Sequence, residues 1–200
     1  NPAQANAELC NLISSTLSDC GLNKDQFTIN VSNRKIVQGL IDELKISEEK
    51  QIKVIRAIDK LDKPGFGLKG VEDLLKKERK DQSGAVTKGA DLSDEQASQI
   101  LNFLKVKDLK ELKQNLKNPL SQEGIKELED IFEVLRYGAN FNQVKTNFTI
   151  VRGLSYYSDF IVETNLNFKV TNNKGKEVDI GSICSGGAYA KLISRFRGVD

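Results

Sequence analysis

The chain has no histidine, no methionine and no tryptophan, and it has only three cysteines. Without histidine it cannot form a Cys/His or Ser/His catalytic pair, and the cysteines lack the close spacing of a zinc site. Cys10, Cys20 and Cys184 are odd in number and far apart, so we expect reduced thiols instead of a disulfide framework. These absences predict that the chain holds no metal site.

Long apolar runs are also absent. No run approaches the roughly 20 residues that a membrane-spanning helix needs, and the chain does not open with the charged and then apolar stretch of a secretory signal. The net charge of +2 is too small to predict nucleic-acid binding by itself. Since the chain contains no methionine, we expect it to be a segment of a longer, cytoplasmic protein that does not enter a membrane.

Residues 1–44 alternate between helical and strand-like patterns. Apolar residues recur at helical spacing over residues 3–22, where Gly21 supplies a stop signal. Residues 27–31 alternate as a strand does, and residues 36–44 return to the helical period. We therefore predict a helix-strand-helix piece of an α/β core.

Between residues 45 and 145 the strand pattern disappears, and short amphipathic helices replace it. One helix is predicted near Val71 to Arg79, and another is announced by Ser93 and Gln96, a pair that can form a capping box. The other predicted helices have the apolar faces Ile52, Ile55, Ile58 and Leu61, then Leu109, Leu112 and Leu116, then Ile125, Leu128, Ile131 and Leu135. This pattern predicts a helical domain inserted between two strand-bearing pieces.

From residue 146 to residue 200 the pattern is that of strands, at 148–151, 160–170 and 177–184. Asn172 to Gly175 supplies residues that tolerate a positive φ, so a hairpin is predicted there. Antiparallel strands of this kind predict an α+β fold instead of a parallel nucleotide-binding sheet. The chain also has no phosphate-binding loop of the glycine-lysine type.

Arg152, beside Gly153 at the end of a predicted strand, is a candidate catalytic residue. A guanidinium there can contact a phosphate or carboxylate through two hydrogen bonds and stabilise charge in phosphoryl transfer. The alternative is a structural pair with a nearby carboxylate. Tyr156 and Tyr157 follow. Since neighbouring strand residues face opposite ways, one ring can pack in the core while the other offers its hydroxyl to a ligand.

A second candidate stretch lies downstream. Gly186 and Gly187 can form a tight turn that brings a small ligand against the backbone, although a glycine pair is most often only a turn. Tyr189 can close that pocket. Glu163 alternates with Ile161 on a predicted strand, and we expect it to lie on a solvated face.

Local excesses of positive charge occur in the predicted helical domain. Lys76, Lys77, Arg79 and Lys80 form one run, with Glu78 among them. Such a run can neutralise RNA phosphates, or it can be only a solvated face. A second series consists of Lys105, Lys107, Lys110, Lys113 and Lys117.

Several motifs together resemble those of the histidyl-tRNA synthetase family. Residues 151–157 resemble its first histidine-specific signature, and residues 185–192 resemble the second. Residues 32–37 resemble the strand-to-helix junction of the family, and residues 57–63 resemble a common sequence of its inserted domain. The motifs follow one another in the expected order from end to end. The chain is therefore identified as the middle section of a bacterial-type member.

The resemblance implies an α+β fold, part of a class II synthetase antiparallel-sheet core interrupted by an all-helical insertion domain. Residues 1–44 and 146–200 would be the core pieces, and residues 45–145 the insertion that contacts the tRNA acceptor arm. The implied activity is that of a histidine-tRNA ligase, a homodimer that uses ATP with Mg²⁺ to form histidyl-adenylate and then charges tRNA(His).

The resemblance also implies roles for single residues. Arg152 would assist catalysis at the α-phosphate of ATP. The histidine-binding residues would be Tyr156, Tyr157, Gly186, Gly187 and Tyr189. The tRNA-binding residues would be Lys76, Lys77, Arg79 and Lys80.

The sequence departs from the family at four positions. Ser155 stands where the family usually has an acidic residue, and Ala188 stands where it has an arginine. Ala190 and Lys191 stand where it has aspartate and glycine. These changes leave open a non-catalytic regulator that senses histidine or tRNA, or a simple tRNA-binding helical module. The family motifs for dimer formation and ATP binding are not in this chain, so we expect that it does not activate histidine alone.

Overall fold

The computed structural model describes residues 1–63, 65–80, 86–151, 157–178, 180–189 and 198. Its helices are α1 (Pro2–Asp19), α2 (Arg34–Glu43), α3 (Glu48–Ile58), α4 (Gly67–Lys76), α5 (Asp94–Phe103), α6 (Leu109–Asn115) and α7 (Pro119–Leu135), with a short 3-10 turn at Phe141–Gln143. Its strands are β1 (Phe27–Asn33), β2 (Glu78–Lys80), β3 (Val86–Lys88), β4 (Val144–Thr146), β5 (Phe160–Leu166), β6 (Val170–Thr171), β7 (Glu177–Val178) and β8 (Ser182–Gly187). The predicted α+β class is confirmed.

The main sheet has the strand order β4, β1, β5, β8. β1 and β5 are antiparallel, from Phe27 opposite Leu166 to Asn33 opposite Phe160, and β5 and β8 are antiparallel as well. β4 runs parallel to β1, so the prediction of an antiparallel sheet is wrong for this pair. Parallel neighbours need a long connection, and α2 to α7 lie between β1 and β4. No local sequence pattern signals the direction of such a distant pairing.

The two faces of the sheet differ in polarity. Phe27, Ile29 and Val31 of β1 alternate onto one face and are buried, and α1 and α7 contact this strand. Burying side chains of this size stabilises the fold by about 1.5–3 kcal/mol each. The residues between them, such as Thr28 and Asn30, point to the opposite face because side chains alternate along a strand. One face of the sheet thus packs against helices, and the other carries polar side chains.

Local capping explains where two of the helices begin. The Asn33 side chain, at the end of β1, accepts a hydrogen bond from the Lys35 N–H at 3.0 Å and so caps α2. Ser93 and Gln96 form the predicted capping box at the start of α5. The Gln96 side chain also donates to the Leu44 carbonyl at 2.9 Å, which ties α5 to the end of α2.

The middle of the chain is not entirely helical, so the prediction is wrong there. The helix predicted from Val71 to Arg79 ends at Lys76, and Glu78–Lys80 forms β2, which pairs antiparallel with β3. These strands are short and rich in charged side chains. They therefore lack the alternating apolar residues that mark a strand in a sequence.

The helices between β1 and β4 pack in two groups. α3 contacts α4 and α4 contacts α5, whereas α7 contacts α1 and α2. The division of the chain into core pieces 1–44 and 146–200 and an insertion domain 45–145 stays a prediction. In the part of the chain that the structure describes, no helix is long and apolar enough to cross a membrane.

The first C-terminal strand lies earlier than the sequence predicts. The pattern predicts a strand over residues 148–151, but β4 occupies Val144–Thr146. Phe148 and Val151 are nevertheless buried. Core packing, and not strand pairing, explains their apolar side chains.

The predicted hairpin around Asn172 to Gly175 is confirmed, since β6 and β7 pair on either side of it. The Asn172 side chain accepts from the Lys174 N–H at 2.9 Å, and Gly175 has a φ of +73°, which glycine adopts without strain. The long strands predicted before and after the turn are wrong in extent. The first divides into β5 and β6, and the second divides into β7 and β8.

Candidate active site

A row of polar side chains crosses the sheet on its polar face. Lys145 of β4 lies opposite Asn30 of β1, and Asn30 lies opposite Glu163 of β5. Glu163 in turn lies opposite Ser185 of β8. Directly paired residues share one face of a sheet, so these four side chains project from the same surface. The Asn30 side chain also donates to the Asn165 side chain at 2.9 Å.

Glu163 has only 6% of its surface exposed. The sequence predicts a solvated face at this position, and that prediction is wrong. A carboxylate is buried only at a free-energy cost, so its place at the centre of a sheet indicates a site. The signal was available in the sequence, because Glu163 is the single charged residue of the run Phe160–Leu166. A single acidic residue in a strand with no other charge predicts a functional position, and this signal outweighs the alternation of Glu163 with Ile161.

A cavity of about 620 Å³ adjoins this polar face. Asn30 and Glu163 line it from the sheet, and Asp59, Asp62 and Lys63 line it from the connection between α3 and α4. Its volume lies in the range of small-ligand sites, about 300–1,000 Å³. The described lining thus brings acidic side chains and a basic one together around a polar space.

Tyr157 and Tyr189 pack against each other on the same side of the sheet. Their ring centroids are 5.0 Å apart at an angle of 61°, and the Tyr189 hydroxyl lies 3.3 Å from the Tyr157 hydroxyl. The Tyr157 ring lies directly on Gly187, where an added Cβ would come within 2.6 Å of the ring. At Gly186 an added Cβ would make only an ordinary contact of 3.7 Å with Val162. Close packing therefore requires glycine at 187 and not at 186.

The glycine turn that the sequence predicts is wrong, because Gly186 and Gly187 both lie within β8. Gly187 is opposite Ile161, which shares its face of β5 with Glu163 two residues later. The structure thus brings the tyrosine pair, Gly187 and Glu163 to one surface. The sequence could not reveal this, since the pairing of β5 with β8 sets it.

Ala188 continues the ladder between β5 and β8. Its N–H donates to the Phe160 carbonyl at 2.9 Å, and its carbonyl accepts from the Ser158 N–H at 3.0 Å. The methyl side chain of Ala188 offers no hydrogen bond. The main chain of Ala188 therefore holds Ser158, the residue after Tyr157. This contact does not depend on the side chain at position 188.

Part of the predicted site lies outside the described residues. These positions are Arg152, Tyr156, Ser155, Ala190 and Lys191. The roles predicted for them stay predictions. Val151 and Tyr157, on either side of the first segment, are described.

Lys76, in the predicted tRNA-binding run, is engaged with carboxylates. Its ammonium group lies 2.8 Å from Asp94 and 3.0 Å from Glu72. Hydrogen bonds to Asp94 and then to Glu72 raise the pKa of Lys76 above its usual value. The positive charge at this residue is therefore largely balanced within the chain.

The other members of the run differ from one another. The Arg79 guanidinium lies 4.2 Å from the centre of the Phe66 ring and 3.5 Å from Asp73, contacts that hold it on the protein. Lys77 is exposed. The side chain of Lys80 lies outside the described part of the chain. Among the members whose side chains are described, Lys77 is thus the most open to solvent.

The cysteines do not join the polar face. Cys10 is buried, and burial raises the pKa of its thiol to about 12, so it stays protonated at neutral pH. Cys20 is exposed, and Cys184 is half-buried. Among the residues that the structure describes, no three cysteine, aspartate or glutamate side chains are grouped to hold a metal ion.

Comparison with known proteins identifies the family. The family model described as histidyl-tRNA synthetase matches residues 1–200. A histidine–tRNA ligase of Pelagibacter ubique is 79% identical over 200 residues, which are 100% of this chain and 43% of that protein. A histidine–tRNA ligase of Rhizobium rhizogenes is 39% identical over 205 residues, which are 98% of this chain and 40% of that protein.

A solved structure agrees with these relatives. The crystal structure of histidyl-tRNA synthetase from Nostoc sp. PCC 7120 is 27% identical to this chain, with a TM-score of 0.75. The likeness covers 99% of this chain and 43% of that one. The chain therefore spans less than half the length of each of these three relatives. With a family match over every residue, it belongs to the histidyl-tRNA synthetase family.

Proposed function

We propose that this chain is the middle section of a histidine–tRNA ligase. In the full-length protein, the carboxylate of histidine attacks the α-phosphate of ATP, pyrophosphate leaves, and the histidyl-adenylate passes its acyl group to tRNA(His). The observation that carries the proposal is the sheet face, where Glu163 and the Tyr157–Tyr189 pair share one surface. The 79% identity to a histidine–tRNA ligase over the whole chain supports it.

Histidine binding is assigned to the tyrosine pair. An imidazole ring has one nitrogen that donates and one that accepts, and a tyrosine hydroxyl can do either. Tyr157 and Tyr189 bring two hydroxyls to within 3.3 Å of each other, so both can contact one small ring. Gly187 leaves the space that the Tyr157 ring occupies. Tyr156 and the main chain of Gly186, whose own side-chain position faces Val162, complete this pocket in the proposal.

The remaining charges of histidine and ATP are assigned to protein groups of the opposite charge. The α-ammonium group of histidine is assigned to the carboxylate of Glu163, which lines the adjoining cavity. Arg152 donates two hydrogen bonds to the α-phosphate, where negative charge builds during the attack. ATP with Mg²⁺ enters as a substrate of the full-length protein.

Contact with tRNA(His) is assigned to the basic run from the end of α4 through β2. Lys77 is the leading residue, because it is exposed, while Lys76 and Arg79 are engaged with Asp94 and Asp73. Lys80 completes the run. The full-length protein is proposed to be a cytoplasmic homodimer.

The direct test is ATP–pyrophosphate exchange by the full-length protein with each of the twenty amino acids. We expect exchange with histidine only, and none by the 200-residue chain alone. Histidine binding without exchange would favour the regulator, which the alanine at position 188 keeps as a second candidate. The absence of both binding and exchange would contradict the proposal.

A further inference from the structure

Two consecutive residues at the junction of β1 and α2, Arg34 and Lys35, contact the flanks of the first signature segment. Asn33, Arg34 and Lys35 are at the end of the strand and the start of the helix. The segment 152–156 lies between Val151 and Tyr157, which are both described. Contacts from one rigid junction to both ends of a short segment fix the separation of those ends.

The upstream flank is held by a guanidinium. Arg34 Nη1 donates to the Val151 carbonyl at 3.0 Å. Val151 is buried, and burial lowers the pKa of the Arg34 guanidinium. A charge in such a place needs hydrogen-bond acceptors, and the Val151 carbonyl is one of them. Moving this end of the segment would break that bond.

The downstream flank is held twice. The main-chain N–H of Arg34 donates to the Asp159 carbonyl at 2.8 Å. The Lys35 ammonium lies 3.1 Å from the Asp159 carboxylate. Since Asp159 is two residues from Tyr157, these contacts fix the main chain that presents the tyrosine ring to Gly187.

The junction is itself anchored to α7. The Lys35 ammonium lies 2.8 Å from Glu123 and 2.5 Å from Glu127. The Asn33 side chain donates to Glu127 at 2.6 Å. One carboxylate would balance the charge of Lys35, and the two on α7 suffice to hold its side chain. The third contact, to Asp159, adds a link between α7 and the tyrosine.

We infer that Arg34 and Lys35 are positioning residues for histidine activation, which hold the flanks of segment 152–156 and with them Tyr157 in its place on Gly187. The inference rests on the proposed function. A positioning residue does not touch the substrate. Misplacing a reacting group or a binding group by about 1 Å can lower the rate by about 100-fold. A variant at a positioning residue is therefore slow even when it is fully folded.

The test compares Lys35→Met, Asp159→Asn and Lys113→Met in the full-length protein. Lys113 of α6 is the matched control, because it also pairs with a carboxylate of α7, Glu129 at 2.8 Å, and that pair does not include Val151 or Asp159. Pyrophosphate exchange is measured well below the melting temperature. We expect kcat/KM for histidine to fall about 10- to 100-fold for Lys35→Met and for Asp159→Asn, and to stay unchanged for Lys113→Met.

The double variant Lys35→Met/Asp159→Asn separates positioning from general destabilisation. If Lys35 acts through Asp159, the double variant is no slower than the worse single variant, and Lys35→Arg recovers part of the activity. Multiplied defects, or a lowered melting temperature with wild-type kinetic constants, would overturn the inference.

Hydrogen exchange of the amides of residues 157–160 gives a second readout that does not need activity. We expect faster exchange in Lys35→Met and Asp159→Asn than in wild type and Lys113→Met, since the Ser158 N–H bond to Ala188 depends on the held flank. If the full-length wild type showed no histidine-dependent pyrophosphate exchange, the proposed function would be contradicted, and the positioning role with it. If the wild type were active but amide exchange were unchanged in Lys35→Met and Asp159→Asn, only the positioning role would be contradicted.

Discussion

The sheet with its α2 junction and the predicted insertion domain, residues 45–145 (the insert), use charged residues in opposite ways. Glu163 has 6% of its surface exposed and is the single charged residue of its strand, and the Lys35 side chain has 18% exposed. In the insert, Lys76 pairs with Asp94, whose side chain is 91% exposed. An exposed pair contributes about 0–1 kcal/mol, whereas a group taken from water must be matched by partners. Buried charges, and not exposed runs of charge, therefore mark the candidate site.

The largest effect is expected for Gly187→Ala. The new Cβ would come within 2.6 Å of the Tyr157 ring and 2.8 Å of the Phe160 carbonyl, so the ring has to move. We expect kcat/KM for histidine in the full-length protein to fall at least about 100-fold. The unfolding free energy should fall by about 1–3 kcal/mol. Pyrophosphate exchange and urea unfolding measure the two effects.

Gly186→Ala is the matched control in the same strand. Its Cβ would lie 3.7 Å from Val162, an ordinary contact. We expect an unfolding free energy within about 1 kcal/mol of wild type and at most a few-fold change in kcat/KM. If the two variants had equal effects, glycine at position 187 would not be needed for the close approach of the Tyr157 ring.

Glu163→Gln tests whether the buried charge itself matters. The amide has nearly the shape of the carboxylate but no negative charge, so the attraction for the α-ammonium group of histidine is lost. We expect kcat/KM for histidine to fall about 10- to 100-fold, which is about 1.4–2.7 kcal/mol. Glu133→Gln, an exposed residue of α7, serves as the control and should leave the kinetics unchanged. Wild-type kinetics in Glu163→Gln would show that the acid has only a structural role.

The elements that the sequence predicted well are those whose signals are local. The capping box of Ser93 and Gln96, the turn at Asn172 to Gly175 and the helical periods depend on residues within a few positions of one another. The parallel pairing of β4 with β1 and the place of Gly187 in a strand depend on partners far along the chain. Local patterns carry no information about such partners.

The same distinction applies to the site. Tyr157, Tyr189 and Gly187 were predicted from motif likeness, and the structure brings them together. Glu163 was misjudged because alternation along one strand does not tell whether the polar face meets solvent or a cavity. Lys35 was not singled out at all, since its three carboxylate partners come from distant parts of the chain.

The dependence of stability on pH sharpens the comparison for Lys35. Burial alone would lower the pKa of Lys35, but hydrogen bonds to Glu123, Glu127 and Asp159 outweigh it and raise the pKa well above its usual value. The stabilisation is therefore complete below the unfolded pKa of about 10.4 and is lost as the pH rises through the folded pKa. Urea unfolding of wild type and Lys35→Met should show a constant difference of about 1–3 kcal/mol from pH 6 to 9. A difference that already falls between pH 7 and 9 would contradict this network.

The smallest effect is expected in the insert, and it separates Lys77 from Lys76. Because Lys76 is balanced by Asp94 and Glu72, Lys76→Gln should change the affinity for tRNA(His) less than Lys77→Gln does. For Lys77→Gln we expect a several-fold loss and a salt slope smaller by about 1, the change for one lost phosphate contact. Filter binding at several salt concentrations measures both quantities. Equal slopes in wild type and both variants would make the run a solvated face, and the conspicuous charges of the insert would then have no part in binding tRNA.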